Sequence, residues 1–249
     1  MSGNVSISGD FSDTNASGTI STSGNITIAG YAPSNPNYAA HVHKGITTPV
    51  FPTVDTSVYA PYVQNTVGSM SGNMTVVKAK ILPNTNPSFS GNTTIQGVLY
   101  IETPNRVSFS GNVTIQGAIV VANNPTGSNN TLSFSGNVSA TTMDTLPANS
   151  NFPAGERALV GSFLLAPSFA VTMSGNFGTI GGSLVADSFT FSGNAGGQVN
   201  GSVIALKDAP FTESGNSPFV FGSPVTTNPA GIVFPGGLGP TQGSYLEVP

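Results

Sequence analysis

A chain of 249 residues, 38% of them hydrophobic, is long enough to bury one large core, so no second domain is required. Only 6% of its residues are charged, which leaves solubility to Ser, Thr, Asn and Gly. A net charge of -4 with six Lys and Arg excludes the basic footprint of a nucleic-acid or anionic-lipid binder, and the lack of cysteine excludes disulfides and thiolate metal sites.

The chain opens on "SGNVSISG", which starts at Ser2 directly after Met1 with no charged leader before it. This layout raises the expectation of an export or anchor segment upstream in the natural protein. No apolar run approaches the roughly 20 residues of a membrane span. The triplet "SGN" occurs nine times in all, with its glycine at Gly3, Gly24, Gly72, Gly91, Gly111, Gly136, Gly175, Gly193 and Gly215. Most steps are 18 to 25 residues, and two longer ones, of 48 and 39, mark insertions. A period of about 20 residues broken by insertions is the signature of a stacked solenoid.

Within one unit the pattern is "VSFS", then "NVTIQ" after one glycine, then "AIVVA" after another. Val, Ile, Thr and Phe at period two favour strands, and the glycines mark tight corners. The expected fold is all-β: a right-handed parallel β-helix of about 20-residue coils, with 1–249 as a single domain. The asparagine after each corner glycine is expected to stack on its counterparts through amide hydrogen bonds, which makes the N-x-S/T sequons by-products of the repeat.

Alternation assigns faces. Val107, Phe109, Val113 and Ile115 point inward. The outward positions form a hydroxyl ladder: Ser88 and Ser90, Ser108 and Ser110, Ser133 and Ser135, Thr172 and Ser174, Thr190 and Ser192. The next side carries Ser6, Thr27, Thr75, Thr94, Thr114 and Ser139. In the third segment both alternating positions are apolar, so Tyr100, Val120, Leu164, Val185 and Ile204 form an outward apolar column, a candidate interaction face.

Two insertions and a tail interrupt the repeats. Residues 31–69 are rich in Pro and Tyr, and "DTSVYAPYV" is read as a short helix capped near Asp55 and placed over the apolar column. Residues 141–158 are expected as a surface loop, and 217–249 as a cap over the open end of the stack.

The polar residues offer little chemistry. Glu102 and Asp187 share a coil position but stand three coils, about 14 Å, apart, too far for paired-carboxylate hydrolysis. Asp187, Asp208 and Lys207 lie near one corner and read as solvated charges. His41 and His43 form an H-x-H pair with no third ligand evident, and are read as loop histidines. No catalytic, cofactor-binding or metal residues are assigned.

The words "SGNVTIQGAIVV", "GSLVADSFTFSGNAGG" and "PVFPTVDTSVYAPY" resemble the solenoid portion of bacterial proteins of the PilX type, which are associated with type IV pilus assembly. The resemblance covers most of residues 1–216. It implies an extracellular β-repeat region behind an N-terminal membrane helix, and it carries over no functional residue. The preferred reading is a non-enzymatic structural or adhesive module at a bacterial cell surface or pilus. Its partners would be a second copy, other surface or pilus proteins, or a polysaccharide. The alternatives are an ice-binding protein that uses the hydroxyl ladder and a carbohydrate-active β-helix enzyme.

Overall fold

The computed structural model describes residues 5–7, 9–13, 15–17, 25–46, 52–123, 125–207, 212–215, 219–222 and 228–234. Its contacts divide the chain into two units, 1–50 and 51–249. The first contains β1 (Val5–Ile7), β2 (Phe11–Asp13), β3 (Ile26–Ile28) and β4 (Val42–Lys44). β1 pairs in parallel with β3, placing Ser6 opposite Thr27, and β2 pairs in parallel with β4. The Thr27 hydroxyl donates to Ser6 Oγ at 3.1 Å, and Ile26 and Ile28 are buried.

The second unit starts with β5 (Thr53–Val54), a 3-10 helix at Ser57–Tyr62, β6 (Asn65–Thr66) and β7 (Met70–Ser71). Long strands follow: β8 (Met74–Ile81), β9 (Ser88–Ile101) and β10 (Arg106–Val121). Next come β11 (Asn130–Phe134), β12 (Asn137–Thr141), a short helix α1 (Ala154–Arg157), β13 (Ser162–Met173), β14 (Phe177–Ile180) and β15 (Ser183–Phe191). The order closes with β16 (Gly197–Val199), β17 (Val203–Ala205), β18 (Thr212–Glu213), β19 (Phe219–Phe221) and β20 (Ile232–Val233). Strands β6 to β19 form one 14-stranded sheet. Its pairs are parallel, whereas β5 and β20 make a separate antiparallel pair.

The register joins equivalent positions of successive repeats. β10 matches β9 from Ser108 opposite Ser88 through to Val121 opposite Ile101. One repeat later β10 is matched by three pieces: β11 along "VSF", β12 along "NVTIQ", and the start of β13 along "IV". Three short strands per repeat were expected, yet β9 and β10 each run unbroken through two corners. Glycines stand at both corners in both repeats, so pairing continues around the bends.

Close approach of backbones explains the SGN glycine. A Cβ on Gly111 would collide with the Gly91 carbonyl oxygen, one on Gly136 with that of Gly111, and one on Gly175 with that of Gly136. Positive φ adds to the requirement at Gly91 and Gly111, at 94° and 124°.

Inside, like residues stack. The rings of Phe89 and Phe109 lie 4.9 Å apart and 12° from parallel, and those of Phe109 and Phe134 lie 5.0 Å apart at 7°. Register extends this column to Met173 and Phe191. Beside it run Val107, Leu132, Val171 and Phe189, all buried.

One core position breaks the chemistry. Thr93 faces inward opposite Val113 and is 2% exposed, and its hydroxyl has no hydrogen-bond partner among the described residues. A buried unpaired hydroxyl costs about 1–3 kcal/mol, and valine has the same shape without it. Thr93→Val should therefore raise stability by about 1–2 kcal/mol in denaturant unfolding; a loss of stability would show that the hydroxyl has a partner.

Candidate functional site: the ladder face and the covered column

The hydroxyl ladder is continuous. Ser88, Ser108, Ser133, Thr172 and Thr190 are successive register partners, and the column extends to Thr212. Ser90 stands opposite Ser110, while Ser135, Ser174 and Ser192 continue that line at the ends of their strands. All ten side chains are exposed or half-buried. The Ser135 and Ser174 hydroxyls donate at 3.3 Å to the carbonyls of Phe109 and Phe134, which fixes their direction.

Around the corner the asparagines form a chain of amides. Asn92 donates to Asn73 at 2.7 Å, Asn112 to Asn92 at 2.9 Å, Asn137 to Asn112 at 2.9 Å and Asn176 to Asn137 at 3.2 Å. Each bond uses one N–H and one carbonyl lone pair, so every amide keeps a second N–H for solvent or a partner. Between the serine and asparagine lines the bare glycine backbone leaves a shallow polar groove of about 430 Å³, lined by residues such as Ser135, Gly136, Asn137, Ser174 and Asn176.

A second asparagine line was missed. Buried Asn105 and Asn130 turn the corner before β10 and β11: Asn105 Oδ1 accepts the Asn86 N–H, and Asn130 Oδ1 accepts the Asn105 N–H, both at 2.8 Å. Its signal was an asparagine four residues before Phe109 and again before Phe134.

The apolar column requires a correction. Val120 stands opposite Tyr100 and Leu165, Leu165 opposite Val185, and Val185 opposite Ile204. Leu165 thus holds the place assigned to Leu164, which lies opposite Ile119 and Leu184 in the main core. The cause is an irregularity between Ser162 and Leu164, where Phe163 is an extra residue relative to β15.

The column is covered within the chain, so it is not a free interaction face. Val120, Leu165 and Val185 are buried, and Tyr100 and Ile204 are partly so. Three segments lie on it. From 31–69 the covering residues are Val54, Tyr59, Tyr62 and Val63. The expected surface loop 141–158 instead packs Met143, Leu146 and Phe152 onto it. The described tail adds Ile232 and Phe234 along the side, whereas β19 extends the sheet beyond β16. Tyr59 donates its hydroxyl to Ala230 O at 3.0 Å, and burial pushes its phenol up from the ordinary value.

The covers are held by polar contacts. Thr56, fully buried, donates its hydroxyl to Val121 O at 2.6 Å and its N–H to Asn123 Oδ1 at 2.7 Å. Asp55 accepts from Asn123 Nδ2 at 2.7 Å and from the Ser57 N–H at 3.0 Å, and these bonds hold its carboxyl at about 2.

A buried ion pair joins the second cover. Lys78 sits at φ 48° where the next repeats carry Gly97 and Gly117, and it is 2% exposed. Its Nζ lies 3.1 Å from Glu156 Oε2, donates to Asn151 O at 2.7 Å, and stands 5.8 Å from the centre of the Phe152 ring. Gly97 makes room for the pair, since a Cβ there would fall 2.7 Å from Glu156 Oε1 and 3.0 Å from Lys78 Cγ. Burial raises the Glu156 carboxyl above its ordinary value, and Lys78 opposes that shift.

Several other charged residues also find partners. Asp187 Oδ2 lies 2.5 Å from Lys207 Nζ, and Asp208 lies outside the described residues. Glu102 pairs with Lys80 at 3.3 Å. His41 Nδ1 and His43 Nε2 meet the two oxygens of Asp10 at 2.7 and 2.8 Å. The hydrogen bonds from His43 and then His41 hold Asp10 below its ordinary value. Asp10 was the missed partner, more than thirty residues upstream of the pair.

Searches against protein-family models, curated proteins and solved structures find no match for this chain. The geometry therefore stands on its own. No helix among the described residues is long and apolar enough to cross a membrane.

Removing Glu156 would leave a buried ammonium without its counter-charge. Glu156→Ala should cost about 3–5 kcal/mol in denaturant unfolding. A cost below about 1 kcal/mol would show that the pair does not hold the cover.

Proposed function

We propose that the chain is a right-handed parallel β-helix acting as a non-enzymatic structural or adhesive module on the outside of a bacterial cell or pilus. One observation carries this reading: the exposed surface repeats itself. Ser88, Ser108, Ser133, Thr172 and Thr190 stand one above another, and the amides from Asn73 to Asn176 form one hydrogen-bonded line. Each position offers a partner what its neighbour offers, at a strand spacing of about 4.8 Å. Such a face suits a repeating partner, such as a polymer or a surface, engaged weakly at many points. The low charge fits the same use, since the face binds through neutral hydroxyls and amides. The resemblance to the solenoid portion of PilX-type proteins supports a surface location.

The same in-register hydroxyls favour a second reading, an ice-binding face. Against it, the column holds serine at Ser88, Ser108 and Ser133, without the methyl that threonine would add to a flat apolar-polar array.

The test is localisation with adhesion. Antibody to the chain should label intact cells of the encoding bacterium, and beads coated with the chain should adhere to those cells or their extracellular polymer more than albumin-coated beads. Antigen found only after lysis, with no excess adhesion, would contradict the surface-module reading. A thermal hysteresis measurement decides the second: shaped ice crystals and a freezing gap would put the ice-binding reading first.

A further inference from the structure

A second groove crosses the corner between the third segment of one repeat and the first segment of the next. One register column runs along it: Arg106, Thr131, Ala170 and Ser188. Ala170 is small, which leaves depth between Thr131 and Ser188. Asn129 and Ser168 stand at the corner with φ of 68° and 67°, and Asp187 and Lys207 close the far side.

The charges in this groove are not equivalent. Asp187 accepts the Ser168 N–H at 2.8 Å through Oδ1 and holds the Lys207 ammonium at 2.5 Å through Oδ2. Its carboxylate is thereby neutralised and fixes the groove wall. The exposed Arg106 guanidinium makes no hydrogen bond or ion pair with another described residue. In a chain with six Lys and Arg, an open guanidinium beside several hydroxyls marks a place for a ligand with one negative charge among many polar groups.

We propose that this groove binds a uronate-type acidic oligosaccharide, its carboxylate on Arg106 and its hydroxyls on Thr131, Ser168 and Ser188. Guanidinium matches carboxylate with two parallel N–H donors, whereas the hydroxyls and the Asn129 amide match neutral sugar groups. A polyphosphate would demand a cation at each step, and here one of the two cations is already held by Asp187. Three strand steps separate Arg106 from Ser188, about 14 Å, which is long enough for an oligosaccharide rather than a single anion. The inference goes beyond the surface-module reading and stands without it, because binding to the isolated chain does not depend on where the chain is displayed.

The test is equilibrium binding of a glucuronosyl-xylotriose, which carries a single carboxylate, to the full chain by titration calorimetry or NMR, with neutral xylotetraose as the matched probe. Saturable binding of the uronate, little of the neutral sugar, and at least a tenfold loss in Arg106→Ala are expected, with Arg106→Lys in between. Ser188→Phe, which fills the groove and leaves Arg106 in place, should also abolish binding, and circular dichroism confirms the fold of each variant. No saturable uronate binding, equal binding of both sugars, or unchanged binding in folded Arg106→Ala and Ser188→Phe would overturn the proposal. Displacement by sulfate at equal concentration would also overturn it, because it would mark a simple anion site.

Discussion

Parallel pairing of each repeat with its copy one repeat away is the constraint on which the rest of this molecule depends. Because the register matches like with like, any residue choice is repeated above and below itself. Identical stacking suits flat rings, branched aliphatics and self-complementary amides, and the chain places Phe89, Phe109 and Phe134 inside and Asn73 to Asn176 outside. It penalises stacked like charges, which accounts for a chain with only 6% charged residues. It also brings backbones together at the corners so closely that Gly91, Gly111, Gly136 and Gly175 have no room for a Cβ.

A sheet built this way has two faces, and the third segment of each repeat is apolar on both. One apolar row enters the main core, and the other, from Tyr100 to Ile204, needs a second core of its own. The insertions and the tail supply it. Their attachment is polar and specific: Thr56 and Asp55 to Asn123, Tyr59 to Ala230, and Glu156 to Lys78. Apolar area holds the covers down, and the buried hydrogen bonds and ion pair decide where they sit. The interruptions of the repeat are therefore what allow its apolar outer row to be buried within one chain. The ladder face and its corners stay open to solvent.

Local pattern carried most of the sheet and little of the covers. Period-two alternation and the SGN spacing were enough to place Phe109 opposite Phe134, Ser108 opposite Ser133, and the asparagines in one line. Counting from a corner glycine failed at Leu164, because the extra residue Phe163 moved Leu165 into the outer row; a bulge leaves no mark in a run as uniformly apolar as "SFLLA". The covers were harder still. Lys78 meets Glu156 and Thr56 meets Asn123 across long stretches of sequence, and nothing local to either partner announces the other. The "MDTLP" and "NFPAG" stretches look like loop because their apolar residues are single, yet Met143, Leu146 and Phe152 are buried. Arg106 lay in plain view, but its groove forms only when four repeats are stacked.

The register itself is the claim to test, and a chain without cysteine makes the test clean. Ser108 and Ser133 are exposed or half-buried register partners, with Cα atoms about 4.8 Å apart, within disulfide reach. Ser108 and Thr172 stand two steps apart, about 10 Å, beyond it. The measurement is intramolecular disulfide formation in the doubly substituted chains under mild oxidation, read by free-thiol count and mass on the monomer. The account predicts rapid, near-complete closure of the Ser108→Cys, Ser133→Cys chain and none in the Ser108→Cys, Thr172→Cys chain. Failure of the first pair to close, or closure of the second at the same rate, would contradict the stacking of repeats on which the whole account rests.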